Sequence, residues 1–444
     1  MNTNDAISSL ELDHPASPLD TAAVYRKITW RLLPFLVFLF ILAWIDRVNV
    51  GFAKLSMLQD LGFSEAIYGL GAGIFFIGYF LFEVPSNLLL EKIGARRTLA
   101  RITILWGLTS MAMAWVESAW SFYLLRFLLG VFEAGFFPGV VLYLTYWFPA
   151  AQRARINGLF MTSFAIAGAV GGPLAGFIMT RMSGVGSLAN WQWLFILEGI
   201  PSVIAGFLVL RYLPEKPANA RWLTPEQRTM VSATIAREDR APQKQSDLRA
   251  LLRYPMLWLC ALVYFCLVSG NATIAFWTPS VIKALGVDDN MSIGLLSFIP
   301  FALGTAAMLW NGVHSDKHAE RRLHCAMAAL LAGIGLIGTG LLIGNAVLAL
   351  IALSVAAMGI LAAFPVFWSI PGAFLAGTAA AGGIAVINSI GNLAGFVAPY
   401  LIGWLKTHTG SLASGLYLVA GLEILAALLL LLLFKGVGRQ HPTT

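Results

Sequence analysis

Asn87-Leu88-Leu89-Leu90-Glu91-Lys92-Ile93-Gly94-Ala95-Arg96-Arg97 is answered in the second half of the chain by Gly312-Val313-His314-Ser315-Asp316-Lys317-His318-Ala319-Glu320-Arg321-Arg322. Acid, following base and terminal Arg pair fall at the same offsets in both. A signature repeated at equivalent places is what an internal duplication leaves, so the chain reads as two matching halves.

Each copy stands between apolar runs. Of 444 residues, 58% are hydrophobic and 11% charged, and the runs approach the length of about 20 residues that crosses a bilayer as helix. Twelve of them begin near Arg31, Ile67, Leu99, Phe122, Asn157, Trp191, Pro255, Ser292, Leu323, Ala346, Thr378 and Gly415. The fold expected is an all-α membrane protein of twelve transmembrane helices in two six-helix bundles. The longest polar interval lies between Leu213 and Tyr254 and carries Pro214, Pro217, Pro225 and Pro242. The organisation predicted is a tail over 1–27, a first bundle over 28–213, a linker over 214–254, a second bundle over 255–435 and a tail over 436–444.

Lys and Arg crowd alternate connections: Lys92, Arg96, Arg97 and Arg101; Arg153 and Arg155; the linker; Lys317, Arg321 and Arg322. The other connections hold only Lys54, Arg181, Lys283 and Lys406. Basic residues are retained on the cytoplasmic side, so a multi-pass protein with both termini cytoplasmic is predicted. The net charge of +7 then faces anionic lipid headgroups and calls for no nucleic acid. The first apolar run lacks a small-residue cleavage site, so no removable signal peptide is expected. Cys260, Cys266 and Cys325 lie in or beside apolar runs and read as core residues.

Two runs carry charges of both signs in their interiors, Asp46 and Arg47 in the first and Arg126 and Glu133 in the fourth; Glu83, Glu198 and Glu423 sit in other runs without a basic residue nearby at helical spacing and read as hydrogen-bonded structural carboxyls. Each of the first four costs roughly 2.5–3.5 kcal/mol at mid-membrane on insertion scales, so they need partners or a task.

The two matched loops resemble the GxxxDRxGxRR signature of the major facilitator superfamily, with Asn87 replacing the leading Gly of one copy and Ala319 the internal Gly of the other. That resemblance implies a cytoplasmic latch made by Glu91, Arg96 and Arg97 and by Asp316, Arg321 and Arg322. Asp46-Arg47-Val48-Asn49-Val50-Gly51, Pro85-Ser86-Asn87, the Arg126 to Pro138 stretch, Tyr146-Trp147-Phe148-Pro149 and Ile387 to Asn392 are similar to the anion:cation symporter branch. Within it the likeness is to bacterial tartrate, phthalate and hydroxyphenylacetate permeases. It implies a proton symporter for organic anions in the bacterial inner membrane.

The residues support such a mechanism by themselves. Arg126 and Glu133 are seven apart, about 10 Å along one helix face, with Gly130 between them leaving room for a ligand. Guanidinium matches carboxylate with two parallel hydrogen bonds, so Arg47 and Arg126 are assigned to the substrate and Asp46 and Glu133 to the proton. Ionised Glu133 competes with an anion for the cations, and protonation ends the competition. Tyr79, Asn271, Asn388 and Asn392 are further substrate-binding candidates, and Trp368 a gate at the inner end of the tenth helix. Two static buried ion pairs are the structural alternative. The aromatics Phe75, Phe76, Tyr79 and Phe80 leave aryl, hydroxy and dicarboxylic anions open.

Gly168-Ala169-Val170-Gly171-Gly172-Pro173-Leu174-Ala175-Gly176 resembles the motif of drug-proton antiporters, which makes efflux the rival reading. A transport-dead sensor is a third. No GxxxxGK[ST] sequence or catalytic constellation is present, so neither ATP-driven transport nor an enzyme is expected. No cofactor other than the coupling proton is expected. His314, His318 and His324 surround the second loop beside Asp316, and the spacing of four is compatible with a metal, but the basic loop context points away from one and favours cytosolic pH sensing over it. With both bundles in one chain, a functional monomer is expected.

Overall fold

The computed structural model describes residues 20–239, 253–373 and 377–434. The helices in chain order are α1 (Thr21–Val48), α2 (Val50–Leu61), α3 (Glu65–Ile93), α4 (Ala95–Ala112), α5 (Ala119–Glu133), α6 (Phe136–Thr145), α7 (Ala150–Arg181) and α8 (Asn190–Tyr212). They continue as α9 (Pro225–Asp239), α10 (Pro255–Ala284), α11 (Asn290–His318), α12 (Arg322–Leu341), α13 (Ala346–Ser369), α14 (Gly377–Thr409) and α15 (Leu412–Leu433). Side-chain caps fix several starts: Ser64 accepts from the Ile67 N–H, Asp289 from Ser292 and Asn345 from Leu348.

Eleven candidate spans are long and apolar enough to cross a membrane, with α1 and α2 joined as the first. The third span of the sequence reading, α4, falls outside that set because Arg96, Arg97 and Arg101 occupy its first two turns. Together they make the twelve helices predicted.

Packing repeats between the halves. In the first, α1 lies on α7, α3 on α5 and α4 on α8; in the second, α10 lies on α14, α11 on α13 and α12 on α15. Each pair of the second set is the counterpart, six spans on, of a pair in the first. The halves meet through α3 against α14, α7 against α11, and α2 against α10.

Those meetings gather at one end of the molecule, the far end, opposite the start of α1. A Cβ at Gly69 would lie 2.4 Å from the Pro399 carbonyl oxygen, and one at Gly403 2.3 Å from that of Glu65. Gly172 and Gly176 likewise admit the backbone of Asn290 and Gly294. The stretch resembling an antiporter motif therefore serves close approach of the two halves. At the near end Gly158 on α7 and Gly312 on α11 meet nothing within 4 Å.

The predicted linker is partly folded onto the first bundle. Trp222 stacks on Trp147 with ring centroids 5.8 Å apart, and the Tyr143 hydroxyl donates to the Pro214 carbonyl at 2.7 Å. Residues 240–252, both tails beyond residues 20 and 434, and the Glu91 side chain lie outside the described residues.

Candidate functional site

The fourth span is broken where the sequence reading assumed one helix. Helix α5 ends at Glu133, Ala134 takes ψ 133°, and Gly135 adopts φ +83° before α6 begins. A positive φ suits Gly, and a Cβ there would meet the Ser86 side chain at 2.7 Å. The break leaves Glu133 on the last turn of a half-helix inside the membrane, the kind of interruption on which transporters build binding sites.

Arg47 pairs with Glu133. Its Nε donates to Oε1 at 3.0 Å and its Nη2 donates to the same oxygen. Glu133 is fully buried and its Oε2 has no hydrogen-bond partner among the described residues, whereas 19% of the Arg47 side chain is exposed. The rings of Trp44, Phe75 and Tyr79 surround the guanidinium at 5.5, 5.2 and 5.5 Å, a cation–π cage that holds the charge while one side stays open.

Arg126 departs from its expected place. It is 0% exposed, and its guanidinium donates to the carbonyls of Gly71 at 3.1 Å, Ala72 at 3.2 Å and Arg47 at 3.2 Å. No face of it is left for a substrate in this conformation. Gly130 departs too: a Cβ there would lie 2.0 Å from the Phe75 carbonyl oxygen, so its smallness seats α5 on α3 and does not floor a pocket. Arg126 instead fixes the backbone that carries Arg47. Arg126→Lys keeps the charge but cannot reach three carbonyls from one point. Buried unsatisfied acceptors cost roughly 1–3 kcal/mol each, so a lower melting temperature in detergent and loss of transport are expected.

Asp46 is held differently from Glu133. It is 1% exposed and accepts from Trp106 Nε1 at 3.1 Å, Ser110 Oγ at 2.7 Å and Ser202 Oγ at 2.5 Å. With three donors from α4 and α8 it ties α1 into its bundle. Asp46 and Arg47, neighbours in sequence, turn to different partners.

On the facing bundle, Tyr264 lies 4.8 Å from Trp368 and stacks on Phe367 at 5.0 Å. Trp368 sits on the last turn of α13. Tyr264 was not singled out from sequence; its contact with Gly391, whose Cβ would meet the ring at 2.1 Å, depends on a helix more than a hundred residues away. Asn388 and Asn392 are half-buried on α14, and Asn271 presents a buried Oδ1 without a partner among the described residues.

Of the two matched loops, the second closes on itself: Arg321 Nη1 pairs with Asp316, and Ser315 Oγ donates to the Glu320 carbonyl at 2.6 Å. Ala319, where the family signature has Gly, is the only non-glycine residue with positive φ among those described, at +50°, a conformation that strains a Cβ. Arg322 is half-buried beside it. In the first loop the Arg96 N–H donates to Glu215 Oε2 at 3.3 Å and Arg97 is exposed. The linker thus supplies an acid that the motif did not reveal.

Sequence reasoning also missed the far-end closure. Glu65 on α3 pairs with Lys54 on α2 and with Lys406 on α14. The Lys54 ammonium stands 4.2 Å from the Tyr68 ring and 3.7 Å from that of Trp277. Tyr68 donates across the bundles to the Phe276 carbonyl at 2.7 Å, and Lys283 to that of Leu55 at 2.9 Å. The signal available was Glu65 at a helix start, where an acid favours the dipole, with no hint of its distant lysines.

Comparison with known proteins agrees with this architecture. The family model of the Major Facilitator Superfamily matches residues 36–399. A protein of Agrobacterium vitis named "Putative tartrate transporter" is 48% identical, over 94% of this chain and 96% of its own. A "Quinolone resistance transporter" of Acinetobacter baumannii is 41% identical over 95% and 97%. Among solved structures, a bacterial homologue of the human lysosomal transporter Spinster in an inward-facing, occupied conformation superposes with TM-score 0.77 over 94% of this chain and 99% of that one, at 15% identity. With two packed sets of spans that mirror each other and a family match over most of its length, the chain belongs to the Major Facilitator Superfamily of membrane transporters.

Proposed function

We propose that this transporter takes up a small organic carboxylate together with protons by alternating access. One observation carries the reading: the partly open cation, Arg47, is occupied by a buried carboxylate, Glu133, whose second oxygen has no partner among the described residues. Protonation of Glu133 removes the anion that competes for Arg47, and the substrate carboxylate takes its place with a bidentate hydrogen bond. Tyr79, Asn271, Asn388, Asn392 and Tyr264 complete the site between the bundles. The bias of Lys and Arg toward the near end supports cytoplasmic termini in a bacterial inner membrane. On that orientation the closed far end is the outside, and the conformation is open inward.

The matched loops act at the cytoplasmic side as the bundles rock, with Asp316 and Arg321 in one and Arg96, Arg97 and Glu215 in the other; Glu91 and Arg322 join them. Trp368 gates the inner exit beside Tyr264. The relative named for tartrate supports a hydroxy-dicarboxylate as the first substrate to try. Purified protein screened for thermal stabilisation against organic acids at two pH values tests the proposal. Stabilisation by a carboxylate that strengthens at lower pH is expected; stabilisation independent of pH refutes the coupling.

Efflux is the second reading, favoured by the quinolone-resistance relative. Inside-out vesicles with an imposed outward proton gradient, the lumen being the acidic side, separate the two. An antiporter concentrates its drug inside them, whereas the proposed symporter does not.

A further inference from the structure

We propose that His314, His318 and His324 form a binding site for a borderline divalent transition metal, Zn2+ or a chemically similar ion, at the near end of the second bundle. The sequence presented the three histidines in a basic loop, which pointed away from a metal. Folding brings their ring nitrogens together.

His314 and His318 lie one turn apart on the end of α11, and α12 brings His324 back against them. One ring nitrogen from each lies within 4.8 Å of the others. His314 Nδ1 is 2.7 Å from His324 Nε2. Two ring nitrogens that close need a proton or a cation between them.

The outer contacts of two rings decide which nitrogen is free. His318 Nδ1 lies 2.9 Å from the His314 carbonyl oxygen. A carbonyl only accepts, so Nδ1 carries the hydrogen and Nε2 of the neutral ring keeps a lone pair. His324 Nδ1 lies 3.1 Å from Glu320 Oε2, and the same logic leaves its Nε2 as the ligand atom. Glu320 is itself anchored by the Leu323 N–H at 2.9 and 2.8 Å and the His324 N–H at 3.2 Å. A carbonyl behind His318 and a carboxylate behind His324 are the outer shell that orients metal-binding histidines. The third ring, His314, is held by stacking on Trp310, centroids 5.0 Å apart and planes at 19°.

Tetrahedral zinc with Zn–N near 2.0–2.1 Å places its ligand nitrogens about 3.3 Å apart. Side-chain torsions reach this by opening the closest pair by roughly half an ångström and drawing in the widest, which is within 4.8 Å. Three imidazoles with a fourth position for water suit zinc, cobalt or nickel over calcium or magnesium, which prefer oxygen. The ion ties the end of α11 to the start of α12 across the loop holding Asp316 and Arg321.

The test uses the purified full-length chain. Chelator competition with Zn2+ measures affinity, and visible d–d bands of Co2+ report coordination. One equivalent is expected to bind, with a tetrahedral or five-coordinate cobalt spectrum. His314→Ala or His324→Ala abolishes both signals, and Glu320→Gln, which leaves the ligands in place, weakens binding by about 10–100-fold. Replacing His14, His408 and His441 together leaves them intact. Equal affinity in wild type and the His314, His318, His324 triple alanine variant, or no stoichiometric binding at all, overturns the site.

Discussion

Glu133→Gln abolishes proton-driven accumulation of substrate in right-side-out vesicles, while exchange of labelled for unlabelled substrate continues. Gln is nearly isosteric and permanently neutral, so it fixes the site in the state that protonation creates. Arg47 is not stranded by the change, because its side chain is 19% exposed and caged by three rings. It is simply free to bind an anion at any pH, and affinity loses its pH dependence. The reciprocal change is harsher. Arg47→Met leaves a fully buried carboxylate without its cation, which typically costs about 3–5 kcal/mol when one partner of a buried pair is removed. The double variant, Met with Gln, recovers much of that stability but not transport. A static pair that only registers helices predicts the opposite for Glu133→Gln: accumulation intact. That result would sink the coupling mechanism.

The charged positions were legible because a charge inside an apolar run is costly enough to need a partner or a task, and the two-bundle plan because the loop signature repeats. What each charge meets was not legible. Depth and spacing placed Arg126 and Glu133 on one face, yet the carbonyls of Gly71 and Ala72 that hold Arg126 belong to α3. Gly130 reads alike whether it makes room for a ligand or for a neighbouring backbone; only the position of Phe75 decides. The break after Glu133 had a local trace in Gly135 and Pro138, both poor helix formers, but apolar periodicity on either side concealed it. Asp46 looked like Glu133 in sequence and differs because Trp106, Ser110 and Ser202 converge on it. Each correction comes from a contact between segments distant in the chain, which hydropathy does not encode.

The second large effect lies at the far-end closure. Glu65→Gln removes the only acid between Lys54 and Lys406 among the described residues, and the populations of the closed and open far end shift by about a hundredfold or more. The size follows from burial. Lys54 is 3% exposed, and stripping the anion from such a cation costs roughly 3–5 kcal/mol, where each 1.4 kcal/mol is a factor of ten. Opening hydrates the ammonium, so the cost falls on the closed state. Spin labels at Gln59→Cys on α2 and Thr409→Cys on α14, both exposed positions, report the separation; the native cysteines are buried. Glu65→Gln is expected to add a longer-distance population. Lys406→Met produces a smaller shift, since that pair is partly exposed on both sides and screened accordingly. The two contributions then separate cleanly. Lys54 and Glu65 share a bundle and stay together as it rocks, whereas the Glu65 to Lys406 link crosses between bundles and must break. Combining Lys54→Met with Glu65→Gln removes the stranded charge and returns the closed population to the level of Lys406→Met alone. An unchanged distance distribution in Glu65→Gln would mean that glycine packing of α3 on α14 and α7 on α11 holds the far end shut without the charges.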